Sequence, residues 1–282
     1  MARVMDAERI RLENTGLRAV LPAARRMRLD VIRAYKSGND PRASIAKALE
    51  RVNQSLRTGM VAADLQARLR SAINSKVARG SLRLSAYDEA VRLLTDRLLV
   101  SESDLNALTT RYAGIAQSVT GELGSVLERE VQAAIADSVA QGLGTRDGAL
   151  AISRAFDAAG VTPDNPYLFE TLYRTQLQTA YSAGRWQANE DPAIQEILWG
   201  YEYVAVMDDR TTDLCSELDG QRHAKDDGFW SRFTPPNHHN CRSQIIEVFV
   251  DDRLAVPTAI PLVQPADGFD FNPGTAFPRV AA

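Results

Sequence analysis

Residues 199–220 read WGYEYVAVMDDRTTDLCSELDG, and this stretch decides the character of the C-terminal part of the chain. Residues 199–207 alternate aromatic or aliphatic side chains with other residues, which predicts a β-strand. The polar residues 208–212 predict a turn that caps a short helix running through Cys215 and Leu218. A strand followed so closely by a capped helix predicts a small α+β module.

The sequence downstream completes this module. Residues 229–239 are predicted to be irregular, and residues 235–243 read PPNHHNCRS, in which the two prolines stiffen the chain. Residues 243–250 read SQIIEVFV and predict a second strand, because β-branched and aromatic residues dominate them. Residues 253–282 hold five of the twelve prolines, which predicts an extended tail without a core of its own.

The first two-thirds of the chain shows apolar residues three or four apart, which predicts helices. The sequence SGNDP at 37–41 breaks the pattern, and SESD at 101–104 resembles the start of a helix of about 35 residues. The apolar stripe of that helix comprises Tyr112, Ile115, Ala116, Val119, Leu123, Val126, Leu127, Val131, Ala134 and Ile135. The other predicted helices cover 20–35, 45–56, 61–77, 85–100, 146–159 and 167–189, with Ser85 and Thr145 as caps.

These patterns predict a mainly α fold in three parts. Residues 1–190 form a long-helix body that supplies interaction surfaces, 191–252 form the α+β module, and 253–282 form the Pro-rich tail. No apolar run approaches the ~18–20 residues of a membrane span, so no membrane partner is expected. Residues 1–28 scatter charges among apolar positions, which disfavours a signal peptide and favours an intracellular, soluble protein.

Charge is unevenly distributed along the chain. Residues 187–252 carry 14 Asp or Glu against 5 Lys or Arg, whereas residues 1–36 carry nine basic and four acidic residues. A basic segment favours partners with negative surfaces, such as DNA or an acidic protein face. Basic side chains on solvated helix faces need no partner, so both interpretations stay open.

Both cysteines and all three histidines fall between residues 215 and 241. Zinc takes four sulfur or nitrogen ligands in a tetrahedral site. The alternative is a small polar core, in which His238 and Asp209 bond to loop backbone and the two thiols pack as small apolar groups. The pattern C-x7-H-x14-H-x2-C supplies four candidate metal ligands: Cys215, His223, His238 and Cys241.

A catalytic interpretation is also open. A cysteine beside a histidine can be an activated nucleophile, and His238 with a metal and nearby carboxylates can form a hydrolytic nuclease. The carboxylates concerned are Asp208, Asp209 and Asp219. The chain contains no P-loop, no G-x-G-x-x-G and no G-x-S-x-G motif. We therefore expect a protein that is not an enzyme and has no catalytic residues, with a metal-dependent nuclease or hydrolase as the alternative.

Taken in order, these short motifs resemble the phage Mu protein F-like head-morphogenesis family, over roughly residues 165–275. The chain departs from the family's pattern at Ser243, where the family has a cysteine, and at His239, where it has a proline. A serine is a poor zinc ligand, so a metal here would need His223, a carboxylate or water as well. The similar elements are YRTQ at 173–176, AY at 180–181, DRT at 209–211, Cys215, LDG at 218–220, PPNHHNCRS at 235–243 and GFDFNPG at 268–274.

The resemblance implies a minor capsid or head-morphogenesis protein of a tailed bacteriophage, with a structural role in head assembly near the portal. It implies the portal protein and other head proteins, such as scaffold or major capsid protein, as partners, with self-association as a further expectation. It places the protein in the virion, after assembly in the cytoplasm of the bacterial host. The residues themselves add two expectations, zinc at the Cys/His loop and contact between packaged DNA and the basic N-terminal segment.

Overall fold

The computed structural model describes residues 2–78, 102–141, 144–159, 161, 167–252 and 254–276, and they form mainly helices. The predicted mainly α fold with a small α+β part near the C-terminus is confirmed. Within the described residues, no helix combines the length and apolarity needed to cross a membrane. The elements in chain order are α1 (Ala2–Lys36), α2 (Pro41–Ala78), α3 (Glu102–Ala140), α4 (Thr145–Ala158), α5 (Tyr167–Ala188), α6 (Pro192–Gln195), β1 (Leu198–Val204), α7 (Asp213–Leu218), β2 (Arg222–Ala224), α8 (Phe229–Phe233), β3 (Gln244–Phe249) and α9 (Pro273–Ala276).

The first two helices follow the sequence pattern with two corrections, and the first is that α1 begins at Ala2 and not at the predicted residue 20. Helix α1 ends at Lys36, and Gly38 then takes a left-handed conformation (φ 70°) that a helix does not continue through. The separate helices predicted at 45–56 and 61–77 are one helix, α2, which runs through Gly59. A glycine inside a helix costs only about 1 kcal/mol, which packing on both sides of it outweighs. The helix predicted at 85–100, with its cap Ser85, lies outside the described residues, as does Ser101 at the predicted start of the next helix.

Helix α3 is 39 residues long, close to the predicted length. Most of the predicted stripe is buried or half-buried, but Val126 is 39% exposed. Val126 is rotated about 100° from the buried Leu127, so it faces solvent and was wrongly assigned to the stripe. In α4, Gly144 occupies the cap position without a side-chain bond, so Thr145 begins that helix and does not cap it. The fully covered members of the stripe are Tyr112, Ala116, Leu123, Leu127 and Val131.

The chain divides into two compact units, one of which comprises the described residues of Glu8–Gly59 and Thr109–Tyr173. Its core joins α1, α2, α3 and α4 through buried apolar side chains. One buried polar contact crosses it, in which Asn53 Nδ2 donates to Thr120 Oγ1 at 3.0 Å. The domain boundary predicted at residue 190 stays a prediction.

The other unit comprises the described residues of Met1–Ala7, Met60–Leu108 and Arg174–Ala282. It contains a three-stranded antiparallel sheet in the order β2-β1-β3. Strand β1 ends at Val204, earlier than predicted, because the backbone N–H of Ala205 donates to Asp219 Oδ1 at 2.8 Å and not to a neighbouring strand. The core beside the sheet contains Leu198, Tyr201, Tyr203, Leu218, Phe229, Trp230, Phe233 and Ile245.

The Pro-rich tail lies against this second unit. Phe269 is buried, and Gly274 packs so closely on Trp186 that a Cβ at that position would lie 2.3 Å from the Trp186 side chain. The amide of Gln187 donates to the backbone carbonyl of Gly274 at 3.0 Å. The described residues of the tail therefore add to the core that precedes them.

Candidate metal centre

Three side chains that the sequence singled out meet in the second unit, and we call Cys215, His238 and Cys241 the thiol–imidazole cluster. Cys215 lies in the first turn of α7. Thr212 caps that helix by accepting a hydrogen bond from the backbone N–H of Cys215 at 3.3 Å. His238 and Cys241 come from the loop at 235–243, so the cluster joins a helix start to a loop that precedes β3.

The contacts within the cluster are short. Cys215 Sγ lies 3.1 Å from His238 Nε2 and 3.8 Å from Cys241 Sγ. All three potential ligand atoms lie within 4.8 Å of one another. His238 Nδ1 donates to the backbone carbonyl of His239 at 2.7 Å, which leaves Nε2 as the nitrogen that faces the thiols.

The loop that carries two of these ligands is held by backbone geometry and by one buried amide. The Pro235-Pro236 bond is cis, and Asn240 takes a left-handed conformation with φ 58°. Asn237 is fully buried, and its Nδ2 donates to the hydroxyl of Tyr203 at 3.0 Å and to the carbonyl of Phe233 at 3.2 Å. The side chain between the prolines and the ligands therefore fixes the loop to β1 and α8.

Polar groups around the cluster favour one thiolate. Hydrogen bonding from Cys241 lowers the pKa of the Cys215 thiol against the opposing effect of burial, and His238, Ser243 and Tyr203 lower it further. Burial raises the pKa of the Cys241 thiol, and the neighbouring Cys215 raises it again. Burial also works against protonation of His238, but its bond to Cys215 raises the pKa of the imidazole overall. Because the thiolate is the form that binds metals and attacks electrophiles, the site is chemically prepared for either role.

The carboxylates near the cluster are hydrogen-bonded to other groups or exposed to solvent. Both oxygens of Asp208 accept from the guanidinium of Arg242, at 2.6 and 2.5 Å, and this fork holds the pKa of Asp208 well below its usual range. Asp219 accepts from backbone as described above, and Asp209 is exposed. The cluster found among the described residues contains no carboxylate ligand.

His223 lies outside the cluster, contrary to the ligand set predicted from the sequence. It sits in β2, stacks on Phe229 with ring centroids 4.0 Å apart, and places Nδ1 3.5 Å from Asp227 Oδ2. Burial lowers the pKa of His223. The structure therefore brings together three of the four predicted ligands and assigns His223 to the aromatic core.

Part of the chain is similar to a known protein family. Residues 129–246 match the model of the family described as Phage Mu protein F like protein. The chain carries a phage Mu F-like segment. This confirms the resemblance predicted from the sequence, and the segment contains the whole thiol–imidazole cluster.

Two similar proteins come from a phage and from a prophage. The putative capsid assembly protein F of Escherichia phage Mu is 27% identical over 143 residues, covering 46% of this chain and 32% of that protein. The Mu-like prophage FluMu F protein of Haemophilus influenzae is 33% identical over 81 residues, covering 29% of this chain and 19% of that protein. The chain therefore matches about a third or less of the length of these relatives. No solved structure matches the chain.

Sequence reasoning missed a buried ion pair within the second unit. Arg185 on α5 donates to both oxygens of Glu247 on β3, at 2.8 and 2.6 Å, and both side chains are fully buried. Asn189 Nδ2 donates to the same carboxylate at 2.9 Å. One signal was present in the sequence, because Glu247 is a lone charge among the apolar residues of β3. Its partner lies 62 residues away, which no local pattern indicates.

The space beside the cluster is small. A cavity of about 20 Å³ opens between Cys215, His238 and the loop residues Thr211 and Arg242. A cavity of roughly 10–15 Å³ is enough to hold one water molecule. The space beside the cluster can therefore take an ion or one water molecule.

Proposed function

We propose that this chain is a structural component of a bacteriophage head, a minor capsid or head-morphogenesis protein that acts near the portal. The observation that carries the proposal is the match of residues 129–246 to the Phage Mu protein F like family. A similar protein bears the name putative capsid assembly protein F. The proposed location is the virion, after assembly in the cytoplasm of a bacterial host.

The small cavity beside the cluster supports a structural role over an enzymatic one. Cys215 and Cys241 are each only 3% exposed, and the cavity of about 20 Å³ beside them is far smaller than the roughly 300–1,000 Å³ of sites for small organic molecules. The polar contacts of Cys215 with Tyr203 and Ser243 come from inside the core. These features favour a site that holds the fold together.

The proposed partners are the portal protein, the scaffold or major capsid protein, and further copies of this chain. The unit of Glu8–Gly59 and Thr109–Tyr173 presents large apolar side chains to solvent, which gives a protein partner surface to bury. Those side chains are Ile10, Leu29, Val126 and Leu150.

A sedimentation experiment with the full chain tests the assembly role. We expect the protein to co-migrate with purified portal rings on a density gradient, and imaging of assembled heads to find it at the portal vertex. Empty capsid shells without a portal are the control, and they should bind less of it. If the chain binds neither rings nor shells and is missing from purified heads, the proposal fails.

A second candidate function is a metal-dependent nuclease or hydrolase carried by the phage. The 3.1 Å contact between Cys215 Sγ and His238 Nε2 favours it, because a thiol beside an imidazole can be activated as a nucleophile. Plasmid nicking across a series of divalent cations distinguishes the two. Nicking that is lost in His238→Ala would replace the structural proposal, whereas the absence of nicking would eliminate the enzyme.

Packaged DNA is a further proposed partner, through a basic cleft between α1 and α2. The cleft has a volume of about 670 Å³. Its exposed cations outnumber its one carboxylate, that of Asp30, which contacts Arg33 at 2.9 Å. Clustered cations of this kind bind phosphates without reading sequence. The cations that line the cleft are Arg26, Arg33, Lys47 and Arg51.

A further inference from the structure

We propose that Cys215, His238 and Cys241 bind one zinc ion through two thiolates and one imidazole nitrogen. The proposal revises the four-ligand set expected from the sequence, because His223 belongs to the aromatic core. It stands independently of the role in head assembly, since it rests on the geometry of the thiol–imidazole cluster alone.

The sulfur–sulfur distance carries the first step of the argument. Zinc holds thiolates at about 2.3 Å, so two of them at tetrahedral positions lie about 3.8 Å apart. The separation of Cys215 Sγ and Cys241 Sγ is 3.8 Å. A disulfide would require about 2.05 Å. The two sulfurs therefore have the spacing of ligands on a common ion.

The histidine is oriented as metal-bound histidines are. Its Nδ1 donates to the carbonyl of His239, and a bond of this kind from the outer nitrogen usually fixes the ring of a zinc ligand. Nε2 then faces Cys215 Sγ at 3.1 Å. A tetrahedral site needs about 3.6 Å between sulfur and nitrogen, so an imidazole shift of about half an ångström admits the ion.

The fourth coordination position falls to an oxygen ligand. The hydroxyl of Ser243 lies 3.2 Å from Cys215 Sγ and is buried, so this hydroxyl or a water beside it is placed to complete the shell. An oxygen is a weaker zinc ligand than a thiolate. A cysteine at position 243 would supply a third sulfur, and we infer that it would tighten the site.

An ion at this position would tie the start of α7 to the loop before β3. Cys215 and Cys241 are 26 residues apart, and the segment between them contains β2 and α8. Coordination would thereby close a loop around the aromatic core. This makes the ion structural, and chelation is expected to lower the melting temperature of the protein.

Metal content of the full-length chain, purified under reducing conditions, tests the proposal. We expect about one zinc per chain by elemental analysis. Cobalt(II) added to the metal-free protein should give the near-ultraviolet charge-transfer band of thiolate ligands. Cys241→Ser and His238→Asn should lose most of the zinc and weaken that band. The control His239→Asn, which removes the adjacent exposed imidazole, should keep both.

Two further variants keep the test decisive even where a cysteine variant fails to fold. Ser243→Cys should raise zinc affinity at least tenfold in competition with a chelator. His223→Gln should retain one zinc if it folds, since that imidazole lies outside the cluster. The proposal is overturned by a reduced, folded protein that takes up no zinc, or by Ser243→Cys leaving affinity unchanged. A Cys215–Cys241 disulfide in the purified protein that cannot be reduced without unfolding would overturn it too.

Discussion

At the scale of single residues, buried charges and aromatic rings determine at which positions of the second unit a substitution lowers stability. Arg185 and Glu247 are a buried pair with bidentate geometry. Such a pair adds little net stability over a well-packed apolar pair, but losing one member strands the other in a medium that solvates it poorly. The cost of a mutation here is therefore far larger than the value of the contact.

Replacing the carboxylate tests this directly. Glu247→Gln should lower the free energy of unfolding by about 3 kcal/mol, because the guanidinium of Arg185 stays buried without a counter-charge. Urea denaturation measures the change. Glu217→Gln, an exposed carboxamide substitution on α7, is the matched control and should change stability by less than about 0.5 kcal/mol. Equal effects at the two positions would contradict the buried-pair argument.

His223 gives the unit a dependence on pH. Burial lowers the pKa of His223 in the folded protein, and this effect outweighs the opposing effect of Asp227. The unfolded chain therefore binds a proton at this side chain more readily than the folded chain does. The folded state is therefore favoured above the unfolded pKa of 6.5 and loses stability as pH falls through and below that value.

Comparison with His223→Phe isolates this effect from every other titrating group. The phenylalanine keeps an aromatic ring against Phe229 and cannot be protonated. We expect the stability of the wild-type protein, relative to this variant, to decrease between pH 8 and pH 5. The readout is the midpoint of chemical unfolding at each pH. A difference that stays constant across the series would show that His223 is protonated equally in both states.

At the scale of elements, α2 and α5 approach each other at Gly184. A Cβ at this position would lie 2.6 Å from the backbone oxygen of Asp64, and backbone cannot move aside as a side chain can. Asp64 is itself fixed there, since it is buried and paired with Arg68 at 2.5 Å. The glycine therefore sets how closely the two helices pack.

Gly184→Ala and Gly121→Ala should have opposite effects. The first should destabilise by about 1–3 kcal/mol through overpacking. The second lies on α3 with open space around its Cβ position, and there alanine should stabilise by about 0.5–1 kcal/mol through its helix propensity. Thermal unfolding of the two variants gives the comparison. A shift of the same sign in both would refute the close approach.

The basic cleft between α1 and α2 offers a test of DNA contact. Replacing both Lys47 and Arg51 with glutamate should weaken binding to duplex DNA at least tenfold. It should also make the affinity depend less steeply on salt concentration, because the number of counter-ions released from DNA is proportional to the number of phosphate contacts. The pair Arg11→Glu and Arg18→Glu makes the same change in net charge on α1 outside the cleft. Fluorescence anisotropy against salt concentration distinguishes the two. Equal losses would mean that net charge alone attracts the DNA.

Sequence periodicity was a good guide to the elements whose signals are local. The SGNDP breaker, the long α3 and the Thr212-capped α7 follow from neighbouring residues. The two helices expected around Gly59 are one because packing along α2 outweighs a single glycine, and packing is not visible in a short window. Strand β2, which is only three residues long, was missed because its pairing with β1 and not its composition defines it. The prediction of irregular structure at 229–239 is wrong for 229–233, which form α8 and bury three aromatic rings.

The same distinction between local sequence signals and tertiary packing applies to the candidate metal centre. The types and spacing of its residues led to Cys215, His238 and Cys241, because thiolates and imidazoles are the side chains that zinc prefers. Spacing could not exclude His223, which is as near in sequence as the members of the thiol–imidazole cluster but lies in the aromatic core beside β2. Thr212, Tyr203 and Ser243 surround Cys215 and were not predicted as its partners, since each is brought there by the fold.

At the scale of the whole molecule, the Pro-rich tail belongs to the folded unit that it follows. Arg232 contacts Asp270 at 3.0 Å, and the backbone N–H of Ala266 donates to the carbonyl of Asn237 at 2.9 Å. Asn237 is the buried amide of the loop that carries His238 and Cys241. The tail therefore contacts the loop at 235–243 from outside and supports it.

Two alanine substitutions in the tail test that support. Phe269→Ala should lower the free energy of unfolding by about 3 kcal/mol, because this ring is buried and packs edge-on against His239 at 4.9 Å. Leu262→Ala removes a side chain that is fully exposed and should leave stability unchanged within about 0.5 kcal/mol. Calorimetry provides both values. A tail that only trails the fold would give no difference between them.

The distance in sequence between Arg185 and Glu247 has a consequence for the order in which the protein is made. A ribosome completes α5 with its guanidinium 62 residues before it adds the carboxylate that neutralises it. Until β3 is made, burial of that face of α5 would leave the charge of Arg185 unpaired, so that face of the nascent helix stays hydrated. Strand β3, which brings the carboxylate of Glu247, directly follows the loop at 235–243 in the sequence, and the tail follows β3. The second unit therefore cannot bury Arg185 with its charge paired until β3 has been synthesised.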